Sequence, residues 1–266
     1  MILLKTTKLM KAFGGLIAIN KIDIEVPRGE IRGIIGPNGS GKSTFFNLIS
    51  GVYDPDPGSY IEFDGHDITN EPAHEIGALG LARTFQLLRL YQDMSVINNV
   101  MSGYHTRVPY SFTEAVLGRK KIWDKEKEIK DEMMELLSFV GLADFAEMNA
   151  SELSGGQRRL LVLARAIASK PKLLMLDEPA AGLSPHNVDN LMKIIIQLKD
   201  KFGLTLIIIE HILKVVMDTC DAVTVFDHGQ KIAEGTPAKV KDDNAVIEAY
   251  LGKKMNDDEM RKALAV

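Results

Sequence analysis

The chain has very little of several features that mark specialised protein classes. Cys220 is the single cysteine among 266 residues, which excludes an internal disulfide and a cysteine-rich metal cluster and fits a reducing compartment. No apolar run approaches the ~18 residues needed to span a bilayer, since the longest covers residues 204–209. Lys5 and Lys8 stand where a secretory signal needs a longer apolar core, so no cleavable signal is predicted. We therefore expect a cytoplasmic protein that reaches membranes only through a partner.

Net charge is also small. The chain has 32 Lys and Arg against 36 Asp and Glu, a formal net charge of −4, and 45% of its residues are hydrophobic. This is the composition of an ordinary globular protein, long enough for one large domain or two small ones. The mild acidity argues against a nucleic-acid binder held by phosphate contacts, so no nucleic-acid partner is expected.

Hydrophobic patterning predicts an α/β fold. Ile22, Ile24 and Val26 alternate with acidic residues, which indicates a half-buried strand. Apolar helical spacing over residues 124–140, followed by Gly141, predicts a capped helix in the middle of the chain. Further strands are predicted where short apolar runs occur, at residues 30–35, 60–63, 173–176, 204–209 and 222–226. Buried strands that alternate with amphipathic helices predict a mainly parallel sheet covered on both faces.

The first chemical motif is a glycine-rich segment between a predicted strand and a predicted helix. It matches the P-loop pattern, in which successive backbone N–H groups and a helix N-terminus bind the phosphates of a nucleotide. Lys42 is expected to neutralise the β- and γ-phosphates, and Ser43 to ligate Mg²⁺. The predicted nucleotide-binding residues are Gly36, Pro37, Asn38, Gly39, Ser40, Gly41, Lys42, Ser43 and Thr44.

The second motif is a pair of carboxylates, Asp177 and Glu178, after the predicted strand 173–176. Ligand sites in open α/β sheets lie at this end of the strands, so Asp177 is expected to hold Mg²⁺ directly or through water. Because successive strand residues face opposite ways, Glu178 is expected to point elsewhere and to polarise the water that attacks the γ-phosphate. The alternative is that Glu178 is merely a solvated residue at the start of a loop.

The third motif is Leu153, Ser154, Gly155, Gly156 and Gln157. It predicts a helix start, with Ser154 as N-cap and two glycines that permit close backbone approach. A second phosphate-binding helix N-terminus in one chain favours an approach to the γ-phosphate from the side opposite the P-loop. The residues alone leave open whether the same chain or another supplies it.

This segment resembles the signature sequence of ATP-binding cassette (ABC) ATPases. The resemblance implies ATP and Mg²⁺ as cofactors and a head-to-tail dimer that closes around two ATPs, with each signature facing the partner's nucleotide. It also implies that Gln86 contacts Mg²⁺ or water and that His211 contacts the γ-phosphate. Phe13 resembles the aromatic that stacks on adenine, and a core position is the alternative.

The resemblance further implies a P-loop NTPase core with a mainly parallel sheet, an antiparallel β subdomain and an inserted α-helical subdomain. We expect an ABC nucleotide-binding domain over residues 1–252, with the β subdomain and core at about 1–86 and 168–236 and the helical subdomain at about 87–167. A C-terminal helical tail is expected over 237–266.

Longer phrases resemble the ATPase subunits of branched-chain amino acid importers. They lie at residues 13–16, 80–86, 180–185, 232–237 and 246–252, with an insertion at 102–125. This implies integral membrane permease subunits, a second copy or paralogous ABC ATPase, and indirectly an extracytoplasmic solute-binding protein, with the chain on the inner face of the membrane. Related cassettes for urea, amides and lipopolysaccharide share several phrases, and a soluble ABC ATPase switch is a further alternative.

Two segments carry additional hypotheses. Ser184 stands where the family's D-loop usually has Asp, which is expected to weaken communication between the two ATP sites. Apolar residues near Gln86 have two interpretations, a groove for a helix of a membrane partner or the core of the helical subdomain. These residues are Leu87, Leu88, Leu90, Tyr91, Met94, Val96 and Ile97.

Overall fold

The computed structural model describes residues 1–84, 90–104 and 119–251, and the chain divides into two compact units. Met1–Leu81 and Met175–Val266 form the first, here called the sheet unit, and Ala82–Leu174 form the second, the helical unit. Within the described ranges, no helix combines the length and the apolar character that crossing a membrane requires.

The strands belong to two sheets. They are β1 (Ile2–Phe13), β2 (Leu16–Pro27), β3 (Ile31–Ile35), β4 (Tyr60–Phe63), β5 (His66–Asp67), β6 (Leu81–Arg83), β7 (Leu173–Asp177), β8 (Thr205–Ile209), β9 (Ala222–Asp227) and β10 (Gln230–Gly235). One sheet has the order β2-β1-β4-β5, and the other has the order β10-β9-β3-β8-β7-β6.

In the second half of the chain, helices alternate with strands as predicted, and further helices lie in the first half. They are α1 (Lys42–Ile49), α2 (Ala73–Leu79), α3 (Val96–Tyr104), α4 (Arg119–Phe139), α5 (Gly155–Ala168), α6 (Pro185–Phe202), α7 (Leu213–Thr219), α8 (Pro237–Lys241) and α9 (Asn244–Leu251), with 3₁₀ turns at Ala143–Phe145 and Ala150–Glu152. The residues after Leu251, including the charged end of the expected tail, lie outside the described ranges.

The four-stranded sheet is antiparallel and begins with a hairpin. Phe13 pairs with Leu16 across Gly14 and Gly15, and Gly14 has a φ of 58°, which a residue with a side chain rarely adopts. Further along β2, Ile22, Ile24 and Val26 are buried while the acidic residues between them are exposed. The alternation predicted from the sequence is therefore confirmed.

The six-stranded sheet is mainly parallel. β3 runs parallel to both β8 and β9, and β10 pairs antiparallel with β9. Every residue of β3 and β8 is buried, as expected for central strands covered on both faces. Because Ile34 lies opposite Ile209, the segments that follow β3 and β8 leave the sheet at the same edge.

Small side chains let helix α7 approach β3 closely. A Cβ on Gly33 would lie 2.8 Å from Val216 Cγ1 and 3.0 Å from Cys220 Sγ. Burial raises the pKa of the Cys220 thiol to about 12, so the thiol stays protonated and unreactive at neutral pH. Cys220 is therefore a packing residue.

In the helical unit, α3 packs directly against α5. A Cβ on Gly103 would lie 2.1 Å from the carbonyl oxygen of Arg165, a backbone atom that cannot move without distorting α5. Tyr91 lies under the guanidinium of Arg165, with 5.9 Å between its ring centroid and Cζ. The contact between these two helices therefore requires glycine at position 103.

We expect Gly103→Ala to destabilise the protein by about 1–3 kcal/mol, the usual cost of overpacking a tight contact. Gly77→Ala is a matched control, because Gly77 also lies within a helix and nothing lies within 4 Å of an added Cβ. The control is expected to stabilise the chain by about 0.5–1 kcal/mol, since alanine favours helices over glycine. Urea unfolding of the two variants measures the difference, and equal stabilities would contradict the close packing.

Candidate functional site

The P-loop lies between the end of β3 and the start of α1. Gly36 and Gly41 have φ values of 151° and 105°. A Cβ on Gly36 would lie 2.1 Å from the carbonyl oxygen of Phe226 in β9, and one on Gly41 would lie 2.5 Å from that of Ala18. Neighbouring backbone thus restricts the path of the loop, so glycine is needed at positions 36 and 41. The loop leads into the N-terminus of α1.

Lys42 folds its side chain back over this loop. It is 6% exposed, and Nζ donates hydrogen bonds to the carbonyl oxygens of Gly36 at 2.8 Å and Pro37 at 2.9 Å. Burial lowers the pKa of Lys42, while the nearby carboxylates of Glu178 and Asp177 act in the opposite direction. The structure therefore brings the predicted lysine and the two predicted acids into one electrostatic environment.

Glu178 lies just beyond strand β7, which ends at Asp177. Its φ is 49°, in the left-handed region that is uncommon for a residue with a side chain. Its backbone N–H donates to the carbonyl oxygen of Ile209 at 2.9 Å. The strand rule used to orient Glu178 does not apply here, because the left-handed backbone, not strand alternation, directs its side chain.

Glu178 contacts the second predicted catalytic residue. Its Oε1 lies 3.1 Å from Nε2 of His211, which follows β8 in the neighbouring position of the sheet. The side chain of Glu178 is 21% exposed and that of His211 is 41% exposed, so both stay open to a ligand at the edge of the sheet. A carboxylate and an imidazole in contact can share the task of orienting a water and holding a proton.

Glu210 is a residue of this site that the sequence prediction missed. It is 2% exposed, and its Oε1 accepts a hydrogen bond from the Ala180 N–H at 2.6 Å. Its Oε2 accepts from the N–H groups of His211 at 3.0 Å and Ile212 at 3.3 Å. Burial raises the pKa of Glu210, and the nearby Glu178 raises it further. An acidic residue between the apolar run 204–209 and His211 was the signal that could have found it.

Two predicted Mg²⁺ ligands lie in the sheet unit: the Ser43 hydroxyl, exposed in the first turn of α1, and the Asp177 carboxylate at the end of β7. Among the described residues, no group of three or more His, Cys, Asp or Glu could hold a metal ion. Mg²⁺ usually keeps several waters and is held by one or two protein oxygens with substrate phosphates. The donor set therefore fits a metal that binds together with a nucleotide. Gln86, the third predicted ligand, lies outside the described residues.

Phe13 is at the surface, at the end of β1. It is 43% exposed, so the core alternative is wrong. Its ring packs edge to face with that of Tyr53, at 5.4 Å between centroids, and Lys11 Nζ lies 5.6 Å from its centroid. Such a partly exposed, supported aromatic ring is suited to stacking on a planar ligand.

The signature segment begins α5 in the helical unit. Ser154 is the N-cap, as predicted, and its hydroxyl accepts from the Gln157 N–H at 3.3 Å, while Gln157 Oε1 accepts from the Ser154 N–H at 2.9 Å. Leu153 is buried, whereas Ser154 and Gly155 are exposed, and nothing lies within 4 Å of an added Cβ on Gly155. The reciprocal capping box fixes a helix N-terminus that remains open on its outer side.

The apolar residues near Gln86 divide between both interpretations. Leu90, Val96 and Ile97 are buried, as a core role predicts. Tyr91 and Met94 are 56% and 39% exposed, as a docking role predicts. The remaining two, Leu87 and Leu88, fall in a gap between the described ranges.

Two family models and several relatives match this chain. The family model described as ABC transporter matches residues 19–181, and a model described as branched-chain amino acid ATP-binding cassette transporter matches residues 230–254. The high-affinity branched-chain amino acid transport ATP-binding protein BraF of Pseudomonas aeruginosa is 37% identical over 250 residues, which cover 94% of this chain and 98% of that protein. The probable branched-chain amino acid transport ATP-binding protein LivG of Archaeoglobus fulgidus is 41% identical over 254 residues, with 94% and 95% covered.

Solved structures lead to the same family. An ATP-binding cassette of an ABC transporter in its ADP conformation superposes with a TM-score of 0.82 at 36% identity, covering 95% of this chain and 100% of that one. A nucleotide-free cassette from an ABC transporter gives a TM-score of 0.81 at 36% identity, with the same coverage. With its P-loop, signature helix and the matching family model, the chain belongs to the ATP-binding cassettes of the ABC transporter family.

Proposed function

We propose that this chain binds and hydrolyses Mg-ATP as the energy-coupling subunit of an importer of branched-chain, hydrophobic amino acids. The observation that carries the hydrolytic part is the 3.1 Å contact between Glu178 Oε1 and His211 Nε2, at the sheet edge where Lys42 closes the P-loop. The solute class is supported by the transport roles given in the relatives' names and by the second family model, which matches residues 230–254.

Nucleotide binding uses the P-loop residues 36–44 and the N-terminus of α1. Phosphate oxygens are stronger acceptors than the loop carbonyls that Lys42 contacts, so Lys42 transfers its hydrogen bonds to the β- and γ-phosphates. Ser43 and Asp177, together with Gln86, would hold Mg²⁺, which would supply positive charge to the phosphate oxygens. The exposed ring of Phe13 stacks on adenine.

Hydrolysis depends on Glu178 and His211. Glu178 accepts a hydrogen bond from the attacking water and takes its proton as the water oxygen bonds to the γ-phosphorus. The bond from that phosphorus to the oxygen bridging the β- and γ-phosphates breaks at the same time, so ADP leaves with the bonding electrons. His211 donates to the γ-phosphate and, through its contact with Glu178, holds the carboxylate in place. Positioning and charge stabilisation supply the catalysis, as is general for phosphoryl transfer.

The signature helix completes the site of another cassette. Ser154, Gly155 and Gly156 present an open helix N-terminus, which favours negative charge. Two chains, or this chain and a paralogous ATPase, close head to tail around two ATPs and reopen after hydrolysis. The pair acts on the inner face of the membrane through integral permease subunits, and an extracytoplasmic solute-binding protein delivers the amino acid to them.

We expect Glu178→Gln to retain ATP binding and to lose turnover by about 10²- to 10⁴-fold, the usual contribution of a general base. The neutral side chain keeps the size of glutamate and cannot accept the proton. Phosphate release and binding of a fluorescent ATP analogue measure the two effects. Glu135→Gln is the control, because Glu135 is an exposed residue of α4 in the other unit. Full activity in Glu178→Gln would contradict the assignment.

The same variant tests the transport assignment. Glu178→Gln, bound to Mg-ATP and purified from detergent-solubilised cells of the native organism, is expected to carry integral permease subunits that mass spectrometry identifies. Recovery of soluble partners alone would replace the importer with a soluble ATPase switch. Transport of leucine, urea or an amide by the reconstituted complex then distinguishes the solutes.

Ser184→Asp tests communication between the two ATP sites. Ser184 is the exposed N-cap of α6 and makes no side-chain capping bond. Asp is at least as good an N-cap, so stability should stay within about 0.5 kcal/mol of the parent. We expect a higher Hill coefficient for ATP hydrolysis and tighter dimerisation, measured by analytical ultracentrifugation with ATP. Unchanged cooperativity and dimerisation would show that Ser184 does not weaken this communication.

A further inference from the structure

We propose that Glu210 is a positioning residue that sets the distance between Glu178 and His211 by binding the backbone of the two segments that carry them. The inference rests on the proposed roles of Glu178 and His211 in hydrolysis. It adds to them a third side chain, which acts through the other two.

The geometry of the carboxylate is that of a clamp between two chain segments. Oε1 binds the Ala180 N–H at 2.6 Å, two residues after Glu178. Oε2 binds the N–H of His211 at 3.0 Å, so one carboxylate joins the segment after β7 to the segment after β8. Both oxygens of Glu210 are therefore engaged, one by each segment.

A second link crosses between the same two segments. The Glu178 N–H donates to the carbonyl oxygen of Ile209 at 2.9 Å, and Ile209 directly precedes Glu210. Both links lie next to Glu178 and His211 in the chain. The side chains of these two residues are 3.1 Å apart, measured from Glu178 Oε1 to His211 Nε2. Without the hydrogen bonds of Glu210, the Glu178 N–H to Ile209 hydrogen bond is the described link that still holds the two segments at a fixed separation.

The location of Glu210 is unfavourable for a residue with a purely structural role. It is 2% exposed, and Glu178 is near enough to raise its pKa in addition to burial. A buried carboxylate beside another carboxylate is costly, and an apolar residue of similar volume would avoid that cost. The donors that compensate are backbone N–H groups of Ala180, His211 and Ile212, so the charge is balanced by the segments that it positions.

The proposed link also reaches the D-loop. Ala180 begins the turn in which the Ala181 N–H bonds the Glu178 carbonyl oxygen at 3.2 Å and the Leu183 N–H bonds that of Ala180 at 3.1 Å. This turn leads directly to Ser184 at the start of α6. A displacement of this turn would therefore move the Glu210 carboxylate and, with it, the backbone of His211.

Glu210→Gln breaks the clamp with little change in volume. Gln has one acceptor oxygen and an NH₂ group, so a donor faces either the Ala180 N–H or the N–H groups of His211 and Ile212. We expect kcat for ATP hydrolysis by the full chain to fall about 10- to 100-fold, in line with the effect of a small misplacement of catalytic groups. The Kd for a fluorescent ATP analogue should stay within about twofold, because Glu210 makes no described hydrogen bond to the P-loop.

Thr205→Val is the matched control at the other end of β8. Thr205 is 1% exposed and its hydroxyl accepts from the Gly29 N–H at 2.9 Å, so the variant also loses one buried hydrogen bond to a backbone N–H. We expect it to lower the unfolding temperature and to leave kcat within about twofold of the parent. Equal losses of kcat in both variants would assign Glu210 to general stability and overturn the proposal.

A double-mutant cycle with His211→Ala tests whether Glu210 acts through the catalytic pair. In that background, adding Glu210→Gln is expected to lower single-turnover hydrolysis by less than it does in the parent, because only Glu178 remains to be positioned. The same 10- to 100-fold loss in both backgrounds would contradict the proposal. The Cε1–Hε1 NMR signal of His211 should also shift in Glu210→Gln and not in Thr205→Val.

The outcomes separate this inference from the proposed function. An active Glu178→Gln would remove the proposed hydrolytic role itself. An inactive Glu178→Gln with a fully active Glu210→Gln would leave that role standing and overturn the clamp. If Glu210→Gln does not fold, Glu210→Asp is compared in the same way, since it keeps the charge and is too short to reach both segments, so full activity in it would equally overturn the clamp.

Discussion

Parallel pairing of β3 with β8 is the constraint on which the candidate site at the edge of the sheet depends. Ile34 and Ile209 lie opposite one another, so the P-loop and the segment 210–212 must leave the sheet together. The Glu178 N–H bonds Ile209 in turn, and this brings the end of β7 to the same edge. The P-loop, Glu178 and His211, which are far apart in the sequence, therefore lie at one edge of the sheet. Their side-chain positions depend on the backbone conformation at the end of each strand.

The conformation of each strand end is imposed by neighbouring backbone. A side chain at position 36 would collide with the Phe226 carbonyl oxygen, and one at position 41 would collide with the Ala18 carbonyl oxygen. Glycine is therefore required at both positions of the P-loop. Glu178 takes a left-handed backbone with a side chain present, which is disfavoured by about 1–3 kcal/mol. Hydrogen bonds from its N–H to Ile209 and from the Ala180 N–H to Glu210 hold it there.

Features that depend on local chemistry or on continuous burial could be predicted from the sequence. The central strands are apolar throughout because both faces are covered, and the Ser154 capping box needs only residues three positions apart. β10 was not predicted, since it is an edge strand that is largely exposed and has no apolar alternation. The sequence places an acidic residue, Glu210, beside His211, but the orientation of Glu178 and the backbone partners of Glu210 depend on how β7 and β8 pack, which no local pattern encodes.

The two buried charged groups of the site, Lys42 and Glu210, respond to an anionic ligand in opposite ways. Burial disfavours the ammonium of Lys42, which donates hydrogen bonds to the carbonyl oxygens of Gly36 and Pro37 and to the Ser40 hydroxyl. A phosphate group at the P-loop favours the charged lysine, so nucleotide binding and stability of the folded unit are linked. Glu210 is the opposite case, because a γ-phosphate at the same edge adds negative charge near a carboxylate that burial already disfavours. Its three backbone hydrogen bonds are therefore most needed when nucleotide is bound, which is when Glu178 and His211 must be held together.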